Sequence, residues 1–269
     1  MRQEIKKAFL WSILVLGLCI ASIFVARQNA AAGRFVWQQL HAGMLASVLS
    51  PSDPNLFFDM GNYYFGGGAY DLKKAEAYFR KALTLDPSME GPHYQLARVY
   101  FIRSDFPDAL AEINAELALH PDFGRSYYVR GLIYGYSGQL AKAEADFKAF
   151  LAWKPESWAG NNDLAWIYFQ EGKYAEARDT ARTGLKIEPN NPWLWNSLGV
   201  ALLNMDDKKG AKEAFAKALS ILATMSEASW GAAYPGNNPD IYTEGFLKMK
   251  SSLEENMRLL STGDTGSAS

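Results

Sequence analysis

A repeat of 34 residues is the feature that most limits what this chain can fold into. Gly or Ala recurs in one column, at Gly61, Ala97, Gly131, Ala165 and Gly199. Ala recurs in a second column every 34 residues, at Ala75, Ala109, Ala143, Ala177 and Ala211. Three residues after the first column stand Tyr64, Tyr100, Tyr134, Tyr168 and Leu202, and four residues after the second stand Phe79, Ile113, Phe147, Ala181 and Phe215. Self-similarity of this kind is typical of proteins built from stacked repeats.

Each repeat is interpreted as two amphipathic helices. The small residue lets the first helix approach its partner, and the large residues fill the space between layers. Gly138 and Gly172 mark turns between the helices, and a Pro ends the second helix of the first four repeats, at Pro87, Pro121, Pro155 and Pro189. The run 66–68 (Gly-Gly-Gly) loosens the first turn; a phosphate-binding glycine loop would need a preceding strand and a following Lys-Ser/Thr, which are absent.

These columns resemble the tetratricopeptide repeat. The third unit matches its pattern at Tyr127, Gly131, Tyr134, Ala143, Phe147 and Pro155, and the fifth at Trp195, Leu198, Gly199, Ala211, Phe215 and Ala218. The resemblance implies an all-α, right-handed superhelical solenoid of five helix-turn-helix repeats over residues 55–225. One repeat cannot bury its apolar face alone, so neighbours must stack.

The end of the array needs a cap. Residues 226–260 are predicted to form a loop and a C-terminal capping helix, with Asp240 as N-cap and an apolar stripe over 241–260. Trp230 and Tyr234 in the loop are expected to plug the last layer, although Trp230 contacting a partner is an open alternative. Residues 261–269 are expected to be a disordered tail.

The N-terminal region, 1–27, is predicted to be a transmembrane anchor. The segment from Ala8 to Ala26 holds no charge over 19 residues, which is close to the length that spans a bilayer as a helix. Basic residues before it, at Arg2, Lys6 and Lys7, favour a cytoplasmic N-terminus. The repeat domain would then be extracytoplasmic, in a single-pass protein of a bacterial envelope, and the reverse topology would place it in the cytoplasm.

Two other interpretations of this segment stay open. The run 30–32 (Ala-Ala-Ala) can serve as the cleavage site of a signal peptide, but the apolar run is longer than such peptides need. Lipidation at Cys19 is disfavoured because Leu18 precedes it and the apolar run continues beyond it.

Residues 28–54 are predicted to form a juxtamembrane helix and linker. Val36, Leu40, Met44 and Val48 recur every fourth residue, and the helix should end before Pro51. We expect this stripe to pack onto the next domain; the alternative is a seam for self-association.

The predicted binding surface is a groove lined by the first helices of the repeats. Counting each repeat so that its first-column residue is the eighth, the fifth, ninth and twelfth positions share one helical face. The candidate peptide-binding residues are Phe58, Asn62, Phe65, Tyr94, Arg98, Phe101, Tyr128, Leu132, Asn162, Trp166, Phe169 and Asn196. Tyr and Trp offer rigid contact area, and Asn pairs with both peptide N–H and C=O groups.

The same groove has competing interpretations. Aromatic residues at helical spacing also form cores, and the juxtamembrane helix or the tail of this chain can fill the groove. Some tetratricopeptide proteins grip a C-terminal carboxylate with Lys, Asn and Arg, but Phe58 and Val129 stand where basic residues are wanted, so that clamp is not supported.

Composition and motifs exclude several function classes. A net charge of −2, from 27 basic and 29 acidic residues, gives no case for binding nucleic acid. One Cys and three scattered His predict neither a disulfide framework nor a metal site. No hydrolase, zincin, Walker or dinucleotide motif is present, so no enzyme activity, catalytic residue or cofactor is predicted.

The sequence therefore predicts a membrane-anchored scaffold that binds protein or peptide segments and assists the assembly of an envelope or secretion complex. The alternatives are a structural subunit of a larger homo- or hetero-oligomeric membrane assembly, and the regulatory half of an enzyme complex whose catalysis lies on another chain.

Overall fold

The computed structural model describes residues 30–233 and 242–262, which contain fourteen helices and no strand. Two short helices come first: α1 Ala30–Leu40 and α2 Gly43–Leu49. Five helix pairs follow: α3 Pro54–Tyr64 and α4 Leu72–Leu85, α5 Pro92–Ile102 and α6 Phe106–Leu119, α7 Arg125–Tyr136 and α8 Leu140–Trp153, α9 Trp158–Gln170 and α10 Tyr174–Ile187, α11 Pro192–Asn204 and α12 Lys208–Leu222. The last helices are α13 Glu227–Ala232 and α14 Tyr242–Thr262. The first helix of each pair is called the A helix and the second the B helix.

The chain divides into two units, Met1–Gln95 and Leu96–Ser269, with the boundary inside α5. In the first unit, buried side chains from α1 to α4 form one core, made by Trp37, Ala46, Leu56, Phe57, Met60 and Ala82. In the second unit, each helix from α7 to α12 packs against the next one along the chain, and A helices also contact each other.

The two small columns lie where the repeat pattern predicts. A Cβ added to Gly61 would lie 2.4 Å from the Phe79 ring, and one added to Gly199 would lie 2.5 Å from the Phe215 ring. Phe79, Phe147 and Phe215 are fully buried. The A helix therefore touches the aromatic ring of its own B helix, and a larger residue there would displace that ring.

The helix ends are also as predicted. The first four B helices end at Leu85, Leu119, Trp153 and Ile187, each two residues before the closing Pro. The A–B turns contain Gly138 (φ +78°) and Gly172 (φ +74°), in the left-handed region that glycine adopts freely. Ser104 and Asp206 adopt the same conformation in the second and fifth turns, without glycine.

Residues 30–49 differ from the prediction of one continuous helix. The chain breaks after Leu40, where His41 has a φ of +49°, and α1 and α2 are separate helices. Trp37 and Ala46 face the core, whereas Leu40, Met44 and Val48 of the predicted stripe are exposed. The four-residue spacing of those apolar residues therefore does not mark the packing face.

The C-terminal helix packs on the last pair, as its apolar stripe predicts. Leu253 is fully buried in a cluster with residues of α11 and α12, and Phe246, Met249, Met257 and Leu260 pack against that cluster. The helix continues through Thr262, so residues 261 and 262 of the predicted tail are helical. A short helix, α13, lies within the predicted loop, whereas Tyr234, Asp240 and residues 263–269 lie outside the described residues.

The predicted membrane segment, Ala8 to Ala26, also lies outside the described residues. Among the helices of residues 30–233 and 242–262, none is long and apolar enough to cross a bilayer.

Candidate functional site

The A helices of the second unit are joined by a chain of polar side chains. The Tyr128 hydroxyl on α7 donates to Asp163 Oδ2 on α9 over 2.5 Å. Asn162 Nδ2 donates to Asp163 Oδ1 over 3.2 Å, and the Ser197 hydroxyl on α11 donates to Asn162 Oδ1 over 2.9 Å. These hydrogen bonds join the A helices α7, α9 and α11 and fix the position of the Asp163 carboxyl group.

Asp163 is a buried carboxyl group without a cationic partner among the described residues. It is 8% exposed, and its hydrogen bonds there come from Tyr128 and Asn162. Burial raises the pKa of Asp163 to about 6, although both hydrogen bonds act to lower the pKa. Burial therefore favours the neutral acid, and at a pH well above 6 the ionised group carries a negative charge that no cation among the described residues pairs with.

An arginine of α7 forms a second polar link, to the helices on the other side of α7 in the sequence. Arg130 donates through Nε and Nη2 to the two carboxylate oxygens of Asp146 on α8, over 2.7 and 2.9 Å, and through Nη1 to Asn114 on α6 over 3.0 Å. Such a bidentate pair holds the guanidinium in one place. Arg130 thus joins α6, α7 and α8.

An aromatic row runs across the A helices α5, α7 and α9. The Tyr136 ring lies 5.1 Å from the Trp166 ring and 5.4 Å from the Phe101 ring, centroid to centroid. Tyr136 is 61% exposed, so the row is open to solvent at its middle. Gly135 makes the contact possible, because a Cβ there would lie 2.8 Å from the Trp166 ring. We call Phe101, Tyr128, Tyr136, Asp163 and Trp166 the A-helix surface.

A second aromatic row closes the C-terminal end of the unit. The Trp193 ring stacks between Trp158 and Trp230, with centroid distances of 5.7 and 5.8 Å. The Trp230 indole N–H donates to the Met249 sulfur over 3.2 Å, and the ring meets Phe246 edge-on. Trp230 therefore packs in the last layer, as predicted.

The predicted groove residues of the second unit occupy different environments. Tyr128, Asn162 and Trp166 lie in the polar chain and the aromatic row, and Phe101 ends that row. Half-buried members are Arg98, Leu132, Phe169 and Asn196, and Leu132 and Phe169 pack against the apolar core. Asn196 Oδ1 is buried without a hydrogen-bond partner among the described residues.

The predicted groove residues of the first unit make contacts within that unit. Asn62 accepts a hydrogen bond from Gln95 over 2.5 Å. Phe58 packs on Phe79, and Tyr94 is half-buried. Phe65 is 4% exposed against Phe79, so it belongs to the core and not to an accessible surface. Its burial follows from the first turn, where Phe65 pairs with Tyr70 and turns back onto the helix pair.

Sequence reasoning missed Tyr136, Asp163 and Ser197. Tyr136 follows the twelfth position, and Asp163 follows the fifth, so both lie just beside the face that was counted. The run Asn161, Asn162 and Asp163 within an otherwise apolar helix was the available signal. No group of three or more His, Cys, Asp or Glu in the described part of the chain is arranged to hold a metal ion.

Two models of the tetratricopeptide repeat match the sequence. One matches residues 128–192, and the other matches residues 70–89 and 194–221. FlbA of Caulobacter vibrioides is 27% identical over 164 residues, which are 61% of this chain and 28% of that protein. The peroxisomal targeting signal receptor of Kluyveromyces lactis is 28% identical over 90 residues, 34% of this chain and 16% of the receptor. This chain thus matches less than a third of each relative's length.

Solved structures share the fold at low sequence identity. PilW, a type IV pilus biogenesis factor, aligns with a TM-score of 0.60 and 18% identity over 77% of this chain and 92% of PilW. YrrB, described as having an unusual peptide-binding site, aligns with a TM-score of 0.56 and 19% identity over 68% of this chain and 93% of YrrB. The helices of this chain within residues 70–89, 128–192 and 194–221 therefore have the tetratricopeptide-repeat architecture.

Proposed function

We propose that this protein is a membrane-anchored adaptor that binds protein or peptide segments on the A-helix surface of its second unit. The observation that carries the proposal is the juxtaposition of an open aromatic row with a buried, unneutralised carboxyl group. Tyr136 is 61% exposed between Phe101 and Trp166, and Asp163 lies one helical turn before Trp166 on α9. Exposed aromatic patches on folded domains commonly mark interaction sites.

The chemistry of the surface indicates what kind of segment binds. The Tyr136 and Trp166 rings offer flat apolar area for an aliphatic or aromatic side chain. Their faces also attract a cation, and the negative charge of Asp163 adds to that attraction. We therefore expect a segment that combines an apolar residue with a nearby Lys or Arg.

The relatives support an adaptor role without naming the partner. YrrB is described as a peptide-binding protein, PilW as a pilus biogenesis factor, and the yeast relative as a targeting signal receptor. Together with the uncharged segment from Ala8 to Ala26, the likeness to PilW supports a place in a bacterial envelope, with assembly of an envelope complex as the task.

The binding proposal is tested by photocrosslinking in the cells that produce the protein. A benzophenone amino acid replaces Tyr136, and a matched control replaces Glu176, an exposed residue of the B helix α10. We expect one recurrent protein in the Tyr136 adducts, absent from the Glu176 adducts, with a Lys or Arg near the crosslinked residue. Equal adduct patterns at the two positions would refute the proposed surface.

The anchor is tested separately. The full chain should stay in the membrane fraction after alkaline carbonate extraction, and its mass should include residues 1–29. Release by carbonate would refute anchoring. A mass that matches a chain starting near residue 33 would establish cleavage instead.

A further inference from the structure

The two short helices that precede the repeats form a hairpin with a well-packed inner side. Trp37 is 4% exposed and Ala46 is fully buried, and the Trp37 ring meets Tyr63 of α3 edge-on at 5.2 Å. The Gly33 N–H donates to the Ser50 hydroxyl over 3.0 Å, and Arg34 pairs with Asp53 over 3.0 Å. These contacts fix α1 and α2 on the first unit.

The outer side of this hairpin is apolar and exposed. Met44 is 87% exposed, and four more apolar side chains are at least 43% exposed, namely Phe35, Leu40, Leu45 and Val48. The five residues fall within 35–48, and they are half of the ten large exposed hydrophobic side chains of the described residues. Met44, Leu45 and Val48 share the face of α2 opposite Ala46, because Val48 lies four residues after Met44 and three after Leu45.

This outer side carries no net charge. Arg34 is the one Lys, Arg, Asp or Glu in residues 30–52, and it is neutralised by Asp53. By contrast, α4 alone contains Lys73, Lys74, Glu76, Arg80 and Lys81. A solvated helix normally carries such charges, so the hairpin is suited to an apolar environment.

The position of the hairpin in the chain identifies that environment. The uncharged segment ends at Ala26, and α1 begins at Ala30. Four residues span at most about 14 Å even when fully extended. An anchor that ends at Ala26 therefore holds the start of α1 at the bilayer surface.

We infer that the exposed apolar side of the α1–α2 hairpin, centred on Met44, Leu45 and Val48, inserts into the interfacial region of the lipid bilayer. The inference rests on the proposed membrane anchor. Because Arg34 is paired with Asp53, insertion relies on apolar contact and not on attraction to anionic headgroups, so zwitterionic lipid suffices. The first unit then contacts the membrane through the exposed side of this hairpin.

The test uses the full chain in phosphatidylcholine vesicles. Cys19, the single cysteine, is replaced by Ser, and new single cysteines are placed at Met44, at Val48 and, as a control, at Lys212, an exposed residue of α12. Each cysteine carries an environment-sensitive NBD dye. We expect blue-shifted emission and about twofold quenching by shallow doxyl-labelled lipid at Met44→Cys and Val48→Cys, and neither effect at Lys212→Cys.

The outcomes separate this inference from the anchor. Retention after carbonate extraction with water-exposed dyes at both hairpin positions would overturn the inference and leave the anchor standing. Dyes shielded from water but not quenched by lipid would also overturn it, in favour of a protein contact; energy transfer between differently labelled chains would then identify a second copy. Release of the unlabelled chain by carbonate would overturn the anchor itself.

Discussion

The two helices of the fourth repeat pair, α9 and α10, differ sharply in how they are buried. Eight of the thirteen residues of α9 are buried, including Asn161, Asn162 and Asp163. In α10 only three of fourteen are buried, namely Ala177, Ala181 and Gly184. An A helix is packed against its own B helix and against neighbouring A helices, whereas a B helix keeps one side in water. Asn162 and Asp163 of α9 are therefore buried, and both bond to neighbouring A helices.

The same difference appears in the acidic residues of the two helices. Burial raises the pKa of Asp163 on α9 to about 6. On α10, a hydrogen bond from Arg178 lowers the pKa of the exposed Asp179. The folded state therefore favours the neutral form of Asp163 and the ionised form of Asp179.

The largest effect is expected from removing a B-helix side chain that faces its A helix. Phe215→Ala should lower the free energy of unfolding by about 3–5 kcal/mol, because the fully buried ring touches Gly199 and leaves a cavity. Lys212→Ala, on the water side of the same helix, should change it by less than about 0.5 kcal/mol. Urea denaturation of both variants in detergent measures this, and equal losses would contradict the two-sided description of B helices.

A pH-dependent effect is expected from Asp163. Its folded pKa, about 6, lies above its ordinary value of 3.8, so the folded state binds this proton more tightly than the unfolded state. Its contribution to stability is therefore fully present below pH 4 and is lost as pH rises through 6, by about 3 kcal/mol at about 1.4 kcal/mol per pH unit.

Asp163→Asn removes that dependence. Relative to the variant, the unmodified protein should lose stability between pH 4 and pH 7, as followed by urea denaturation in a pH series. Asp179→Asn is the matched control and should show no such loss, because the pKa of Asp179 is lowered. If the free energy of unfolding changed with pH in the same way in the unmodified protein and in Asp163→Asn, the raised pKa of Asp163 would be refuted.

A smaller effect is expected from the hydrogen bond between α7 and α9. Tyr128→Phe should cost about 1.5–3 kcal/mol at pH 8, where the Tyr128 hydroxyl donates to an ionised carboxylate. At pH 4.5 the cost should fall to about 0.5–1.5 kcal/mol, because the acceptor is then protonated. In the Asp163→Asn background the pH dependence of this cost should vanish, and its persistence there would show that another group is responsible.

The smallest effect is expected in the turn that joins an A helix to its B helix. Gly138→Ala should cost about 1 kcal/mol, because Gly138 has a φ of +78° and an added Cβ would meet nothing within 4 Å. The loss would come from backbone conformation alone. A thermal melt checks it, with Gly135→Ala as the contrasting variant, in which the new methyl group meets the Trp166 ring.

The helix pairs could be predicted from the sequence because their determinants are local and periodic. Gly61, Phe79 and the closing Pro residues each specify one step of a repeated unit, and the structure places them accordingly. The break at His41 could not be predicted, since no Gly or Pro stands at that residue and the apolar spacing continues across it. The break is determined by the tertiary packing of Trp37 and Ala46 in the core of the first unit.

The candidate site was predictable only in part. Counting positions on one helix finds Tyr128 and Trp166, because both lie on the expected face. It does not find the pairing of Tyr128 with Asp163, because that contact depends on how α7 and α9 are rotated against each other. The exposure of Tyr136 likewise depends on how closely Trp166 approaches Gly135.

Partner binding on the A-helix surface is tested most directly by the affinity of the partner segment for Tyr136→Ala. A synthetic peptide covering the segment crosslinked at position 136 is titrated into the unmodified protein, Tyr136→Ala and Glu176→Ala, and thermal stability is measured alongside. Because Tyr136 is mostly exposed, its removal should weaken binding about tenfold or more while the melting temperature hardly changes. Unchanged affinity in Tyr136→Ala, or equal losses in Tyr136→Ala and Glu176→Ala, would contradict the proposal that the A-helix surface binds the partner.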